Sequence, residues 1–123
     1  MFEIEKRFTF HAAHQLMHHD GPCSRLHGHT YELIVKVRAS SLQKSGPKTN
    51  MVVDFADLKS HVRALIDKHL EHQFLNETLQ TDSPTAEFIA AWIYRELKKT
   101  LPELYTITLY ESPTSGTTYG EFL

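Results

Sequence analysis

Alternating apolar and polar residues at both ends of this chain constrain its fold more than any other feature. Apolar side chains fall mostly on even positions from 2 to 10 and mostly on odd positions from 31 to 37. Such alternation predicts two half-buried β-strands, Phe2–Phe10 and about His27–Ala39. Two shorter segments of the same kind, Tyr105–Glu111 and roughly Thr117–Phe122, predict two more strands.

The middle of the chain has apolar residues at helical spacing. Asp54 is a predicted N-cap, and the apolar residues that follow it predict a helix that continues to about Leu70. A second helix is predicted to start near Ser83, with Pro84 at its first position, and to end before Pro102. The predicted order of elements is therefore ββααββ.

This order predicts an α+β fold, in one domain over residues 1–123. The economical packing is an antiparallel sheet with two helices on one face. Ile34 interrupts the polar side of the second strand, which indicates that the other face of the sheet is also partly covered. Oligomerisation would provide that cover.

Composition excludes several classes of function. The net charge is −2 and no dense basic tract occurs, which disfavours nucleic-acid binding. No apolar run approaches the roughly 18 residues of a membrane span, and the first residues do not resemble a signal peptide. The lone cysteine, Cys23, fits a reducing compartment, so the expected location is the cytoplasm.

Histidine is the unusual component, because the chain has 9 and six of them lie between His11 and His29. His27 and His29 form an i, i+2 pair that projects from one face of the second strand. His14, at the end of the first strand, is a candidate third ligand. Three imidazoles with an open fourth position are typical of a catalytic zinc site. The spacing alone leaves three competitors for the third ligand, namely His11, His18 and His19.

Three other positions could carry acid–base or binding chemistry. A thiol beside a metal ion has a lowered pKa, so Cys23 is a candidate base, although a lone cysteine is more often a buried small hydrophobe. Glu71 and His72 could form a proton relay, or simply a solvated helix end. Glu111, at the end of the third strand, could bind a guanidine-like heterocycle edge or be an exposed charge.

Taken together, these segments resemble the 6-pyruvoyl-tetrahydropterin synthase / 6-carboxytetrahydropterin synthase family. The resemblance spans nearly the whole chain, in order and with similar spacing, so the combined match is specific. The matching segments are Phe10–His14, Cys23–His29, Asn50–Lys59, Leu70–Asn76, Pro84–Glu87 and Glu111.

The resemblance implies a fold, a metal and an assembly. The fold would be the ββααββ tunnelling fold, or T-fold, whose units form an oligomeric barrel of trimers that stack into a homohexamer. A zinc ion would be held by His14, His27 and His29. Active sites would lie between subunits, and the substrate would be 7,8-dihydroneopterin triphosphate.

The resemblance also implies roles for six further residues. Cys23 would be the proton-abstracting base, and His72 would be its partner acid/base, oriented by Glu71. The residues implied in the pterin pocket are Glu111, Thr85 and Glu87. The family usually has Asp in place of Glu71. The extra methylene of Glu71 shifts the carboxylate by about an ångström or more, and catalytic geometry is sensitive to displacements of this size.

The spacing between Cys23 and His27 selects among family members. The offset of four residues resembles the bacterial 6-carboxytetrahydropterin synthases of queuosine and deazapurine synthesis. The expected reaction is therefore conversion of the triphosphate to 6-carboxy-5,6,7,8-tetrahydropterin, with release of acetaldehyde and triphosphate. The alternatives are a 6-pyruvoyl-tetrahydropterin synthase that acts on the same substrate, and a non-catalytic zinc- or pterin-binding protein.

Overall fold

The computed structural model describes all residues from 1 to 123. The chain folds into one four-stranded antiparallel sheet with helices on one face. The strands follow the order β1-β2-β3-β4 across the sheet, and the helices come between β2 and β3 in the chain. The elements are β1 (Phe2–His14), β2 (His27–Ala39), α1 (Phe55–His69), α2 (Leu75–Thr78), α3 (Ala86–Lys98), β3 (Leu104–Ser112) and β4 (Ser115–Tyr119). The predicted α+β class and the ββααββ order are confirmed, with the short α2 added between the two long helices.

The long ladder between β1 and β2 organises the sheet. It runs without interruption from the pair Phe2↔Ala39 to the pair His14↔His27. The prediction that the first strand ends at Phe10 was therefore wrong. The backbone from His11 to His14 stays extended because it continues to pair with the start of β2.

The C-terminal hairpin sets the position of Glu111. β3 and β4 join through a two-residue turn, so that Ser112 pairs with Ser115, and the register shifts between Tyr110 and Ser112. Glu111 lies at this irregularity, and bulges of this kind re-aim a side chain. The predicted last strand, Thr117–Phe122, was displaced: pairing starts at Ser115 because the turn is so short.

Side-chain caps fix the starts of both long helices. The Asp54 carboxylate accepts a hydrogen bond from the Ala56 N–H at 2.8 Å, which confirms the predicted N-cap of α1. The start of α3 near Ser83 was predicted wrongly. Thr85 is the cap, because its hydroxyl accepts a hydrogen bond from the Phe88 N–H at 3.1 Å. Helical geometry therefore begins only at Ala86.

The hydrophobic core lies between the sheet and the two long helices. It forms one cluster of 23 buried residues, which indicates a single folding unit. Its centre comprises side chains from the sheet and from both long helices, among them Phe10, Tyr31, Leu33, Val62, Ile66, Ile89, Ile93 and Ile107. None of the helices is long and apolar enough to cross a membrane.

The other face of the sheet is mostly polar. Arg7 forms ion pairs with Glu5 and Glu32, at 3.2 and 3.0 Å, on this face. Ile34 is only 7% exposed even though no helix covers it. Its register neighbours are Arg7 and Thr108, so it lies within the single chain's own sheet. The partial cover predicted for this face is thus present at Ile34 within one chain, and further cover by oligomerisation stays a prediction.

Candidate active site

The β1–β2 ladder brings three histidines together. His14 and His27 are direct register partners, so their side chains project from the same face of the sheet. His29 follows two residues later on β2 and shares that face. The same face carries Phe10 and Tyr31 of the core, which places the three rings at the end of the packed interior.

The three rings point the same type of nitrogen at one another. The Nε2 atom of His14 lies 2.9 Å from Nε2 of His27 and 3.1 Å from Nε2 of His29. Nitrogen ligands of a tetrahedral zinc ion lie about 2.0–2.1 Å from the metal and hence roughly 3.3 Å from one another. The observed cluster is close to that spacing, so the donor set fits a metal ion.

Backbone carbonyls fix the tautomers of two of these rings. Nδ1 of His14 donates to the Pro84 carbonyl at 2.8 Å, and Nδ1 of His27 donates to the Arg25 carbonyl at 2.7 Å. A carbonyl can only accept, so the proton of each neutral ring is on Nδ1 and its Nε2 carries a lone pair. Such hydrogen bonds are the usual outer support of metal-binding histidines.

Burial keeps the cluster ready for a cation. His14 is 1% exposed, and its burial lowers the pKa of the imidazole, which the Pro84 carbonyl and Glu111 partly offset. Burial also lowers the pKa of His29, again opposed by Glu111. Neutral imidazoles are the form that binds metal, so these shifts favour ligation.

The three competing histidines have other partners. His11 lies on the opposite face of β1 and contacts Glu71. His18 pairs with Asp82 at 2.8 Å, and His19 accepts a hydrogen bond from the N–H of Gly21. Of the four candidates for the third ligand, His14 is the one whose ring lies against His27 and His29.

Glu111 lies beside the histidine cluster. Its carboxylate Oε2 is 3.9 Å from Nε2 of His29. It also lines a cavity of about 230 Å³ together with Glu87 at the start of α3 and residues 115–117 of β4. Two of the three residues expected in a pterin pocket therefore meet. Thr85 lies two residues before Glu87 in the sequence, and its hydroxyl caps α3.

Glu71 and His72 form a second cluster, with His11 as the third member. The Glu71 carboxylate Oε1 accepts a hydrogen bond from the His11 N–H at 2.9 Å and lies 3.3 Å from Nδ1 of His11 and 3.6 Å from Nε2 of His72. The His11 N–H is the main reason why the pKa of Glu71 is lowered. An open cavity of about 600 Å³ adjoins this cluster and is lined by His11 and His72, together with residues 28–30 of β2.

Cys23 belongs to neither cluster. It lies on a single 3-10 turn, Pro22–Ser24, and is partly exposed. Its carbonyl accepts a hydrogen bond from the Leu16 N–H at 2.9 Å, which docks the turn against the chain just after His14. Within one chain, the structure does not bring the cysteine and His72 into one cluster.

Sequence reasoning missed the contribution of His11 and of the two carbonyls that orient the rings. The chain after α1 returns to the outer edge of β1: the His72 N–H donates to the His11 carbonyl at 2.6 Å, and the Ala13 N–H donates to the Gln73 carbonyl at 3.0 Å. This pairing joins distant segments and has no periodicity of its own. Only the histidine at position 11, in a segment already rich in histidine, gave a hint.

Comparisons with known proteins agree with this geometry. The family model for 6-pyruvoyl tetrahydropterin synthase matches residues 3–121. A 6-carboxy-5,6,7,8-tetrahydropterin synthase of Synechocystis sp. is 45% identical over 120 residues, which cover 97% of this chain and 93% of the relative. The protein of the same name from Haemophilus influenzae is 39% identical over 142 residues, covering 98% of this chain and all of the relative.

A solved structure has the same architecture. Caenorhabditis elegans 6-pyruvoyl tetrahydropterin synthase superposes with a TM-score of 0.82 at 29% identity, over 97% of this chain and 94% of that one. This likeness confirms the predicted tunnelling fold. With the family match over nearly every residue, it follows that the chain belongs to the 6-pyruvoyl tetrahydropterin synthase family and is a lyase of the tetrahydropterin synthase type.

Proposed function

We propose that this chain converts 7,8-dihydroneopterin triphosphate to 6-carboxy-5,6,7,8-tetrahydropterin, with release of acetaldehyde and triphosphate. The observation that carries the proposal is the convergence of three histidine Nε2 atoms next to Glu111, in a chain 45% identical to a relative named for that product. The reaction would belong to queuosine or deazapurine biosynthesis, because the offset between Cys23 and His27 resembles that of the bacterial enzymes, and the lone cysteine favours the cytoplasm as its location.

His14, His27 and His29 would hold a zinc ion, which when bound acts as a Lewis acid that acidifies the side-chain hydroxyls of the substrate. The chain's own part is to keep the three rings neutral and correctly turned. The Pro84 and Arg25 carbonyls do this for His14 and His27 by fixing the proton on Nδ1. Three protein ligands leave one position for the substrate.

Cys23 is the proposed base, and it removes a proton from the substrate side chain. His72 is the proposed partner, which returns a proton to the developing product. Glu71 orients His72 and stabilises its protonated form, since its carboxylate is 3.6 Å from Nε2. Its own position is fixed by the hydrogen bond from the His11 N–H to its carboxylate, at 2.9 Å.

Glu111 is the proposed anchor of the pterin ring. A carboxylate can accept two parallel hydrogen bonds from the N–H groups of a guanidine-like edge. Its cavity also contains Glu87. Because Glu111 is 3.9 Å from His29, a ring bound there has its side chain directed toward the histidine cluster.

We further propose that the active site is shared between subunits of a homohexamer. Cys23 and His72 are not clustered within one chain, and His72 is 80% exposed. A second copy could supply the missing member. Light scattering should then give a particle near six times the 14.2 kDa chain mass. A stable monomer at micromolar concentration would contradict this assembly.

The alternative is a 6-pyruvoyl-tetrahydropterin synthase, which is favoured by the family description and by the name of the solved relative. Both reactions start from the same triphosphate, so the product decides between them. Purified protein incubated with 7,8-dihydroneopterin triphosphate should yield 6-carboxytetrahydropterin and acetaldehyde, measured by mass spectrometry and by an aldehyde assay. A 6-pyruvoyl product would support the alternative, and unchanged substrate would support a binding protein without activity.

A further inference from the structure

The cluster of His11, Glu71 and His72 has the composition of a metal site. It offers two imidazole nitrogens and one carboxylate oxygen, all within 4.8 Å of one another. We propose that these residues form a second divalent-metal site, for zinc or a similar transition-metal ion, and that an ion bound there inhibits turnover. The inhibition rests on the proposed function, whereas the binding does not.

The donors are already gathered by the backbone. His72 has a left-handed conformation, with φ of 57°, which is uncommon for a residue other than glycine. It is held there by the 2.6 Å hydrogen bond from its N–H to the His11 carbonyl. The return bond, from the His11 N–H to the Glu71 carboxylate, ties the third donor to the same strand edge. The backbone around these donors therefore needs little further ordering when an ion binds, and preorganisation of this kind favours affinity.

The distances suit a tetrahedral or larger coordination sphere. The carboxylate Oε1 lies 3.3 Å from Nδ1 of His11 and 3.6 Å from Nε2 of His72, close to the roughly 3.3 Å between ligands of tetrahedral zinc. Within one chain the side chains of His11 and His72 are 57% and 80% exposed, so the chain's own atoms do not cover these donors. The open cavity of about 600 Å³ leaves room for water ligands.

Arg63 is the one cation near this cluster, and its position is compatible with binding. Its guanidinium lies 3.7 Å from Oε2 of Glu71, the oxygen that faces away from the histidines. The same nitrogen makes a closer contact, 2.7 Å, with Asp67. Oε1 therefore stays available to an ion, and Asp67 offsets much of the arginine charge.

The inhibitory effect follows from what the ion would occupy. An ion at this site takes the Nε2 lone pair of His72 and the carboxylate oxygen of Glu71. The proposed acid/base partner then can neither accept nor return a proton. The His11 side chain would contribute one ligand, whereas the His11 backbone N–H that holds Glu71 remains when this side chain is replaced.

The test measures metal binding directly, on the full chain already loaded with one zinc ion. Equilibrium dialysis against Zn²⁺ followed by elemental analysis should give about two ions for the wild type and about one for His11→Gln. His18→Gln is the matched control, since His18 is an equally exposed histidine paired with a carboxylate outside the cluster. It should still bind the second ion.

Turnover gives the second readout. For each protein the rate without added metal is the reference, and the Zn²⁺ concentration that halves this rate should be about tenfold higher or more for His11→Gln than for the wild type. The site is refuted if the wild type binds one ion only, or if His11→Gln binds the second as tightly. If the second ion binds without slowing turnover, the proposed inhibition is refuted but the metal site is not. If the protein does not convert the triphosphate at all, the proposed function fails, while dialysis still decides the site.

Discussion

The Nε2 atoms of His14 and His27 face one another at 2.9 Å while the opposite nitrogen of each ring donates to a backbone carbonyl. Neither ring in its neutral form then has a proton to place between these two nitrogens, so two lone pairs meet. A cation between the rings would turn this repulsion into attraction. The backbone that fixes the tautomers thereby favours the proposed binding of a metal ion.

Replacing one of these ligands should release the metal. The wild type should contain about one tightly bound zinc per chain, and His27→Ala should lose most of it, because two imidazoles bind far more weakly than three. Elemental analysis after dialysis against metal-free buffer measures this. His19→Ala, whose ring contacts only the Gly21 N–H of its own loop, should retain the ion. Full zinc in the His27 variant would reject this ligand set.

Cys23→Ala separates a base from a bystander. The change removes one sulfur atom from a partly exposed turn, so folding and zinc content should survive. Turnover should fall by about two to four orders of magnitude, the usual contribution of a positioned general base. Iodoacetamide should inactivate the wild type in proportion to alkylation, and bound substrate should slow this reaction. Near wild-type turnover in the variant would move the role of base to another group, with His72 the first candidate.

The Glu71 carboxylate should make the free energy of unfolding depend on pH. Its pKa is lowered from the ordinary 4.5, first by the hydrogen bond from the His11 N–H. The native state therefore holds this proton less readily than the unfolded state, and the carboxylate stabilises the fold above 4.5. That stabilisation is lost as pH falls through the lowered native pKa.

Urea unfolding of Glu71→Gln and the wild type, from about pH 7 down to about pH 3, measures this effect. The difference in free energy of unfolding between the two proteins should shrink as pH falls. Glu103→Gln, which changes an exposed carboxylate without an ion pair, is the control and should show a smaller trend. A constant difference across this range would show that the carboxylate charge contributes nothing.

Thr85 has two candidate roles that can be separated. As the N-cap of α3, its replacement by Ala should lower the free energy of unfolding by about 1 kcal/mol, and Thr85→Ser should restore most of this. If Thr85 also contacts the pterin, KM should rise in the Ala variant beyond what the fraction of folded protein explains. Chemical denaturation and steady-state kinetics on the same samples distinguish the two. An unchanged stability in Thr85→Ala would refute the capping role.

The parts of the fold that follow from local pattern were predictable from sequence. The ladder between β1 and β2 has a period of two, so the common face of His27 and His29 followed directly. The cap at Asp54 also followed, because one residue type in one position decides it. The start of α3 did not, since Ser83 and Thr85 are both good caps and only the contact with the Phe88 N–H selects between them.

Contacts between distant segments could not be predicted in this way. The association of Glu71 with His11 requires the chain after α1 to pair with the edge of β1. The sequence around Glu71 has no periodic pattern that predicts such a pairing. Likewise α2 spans only four residues, too few for a helical repeat. For Ile34 the sequence predicted partial cover of the open face, but not that the neighbouring strands of the same chain contribute to it.

The ladder of 13 residue pairs between β1 and β2 separates two tasks along the chain. The relative position of His14 and His27 is fixed by this ladder, while the intervening loop carries Cys23 and the Arg25 carbonyl that orients the His27 ring. Residues before Arg25 could therefore be added or removed, and the proposed base exchanged for another group, while the ladder still holds the histidines that are proposed to bind metal. For protein engineering, the proposed proton transfer and the proposed metal binding then rest on separable parts of the chain, and the loop before Arg25 is the place at which to change the former.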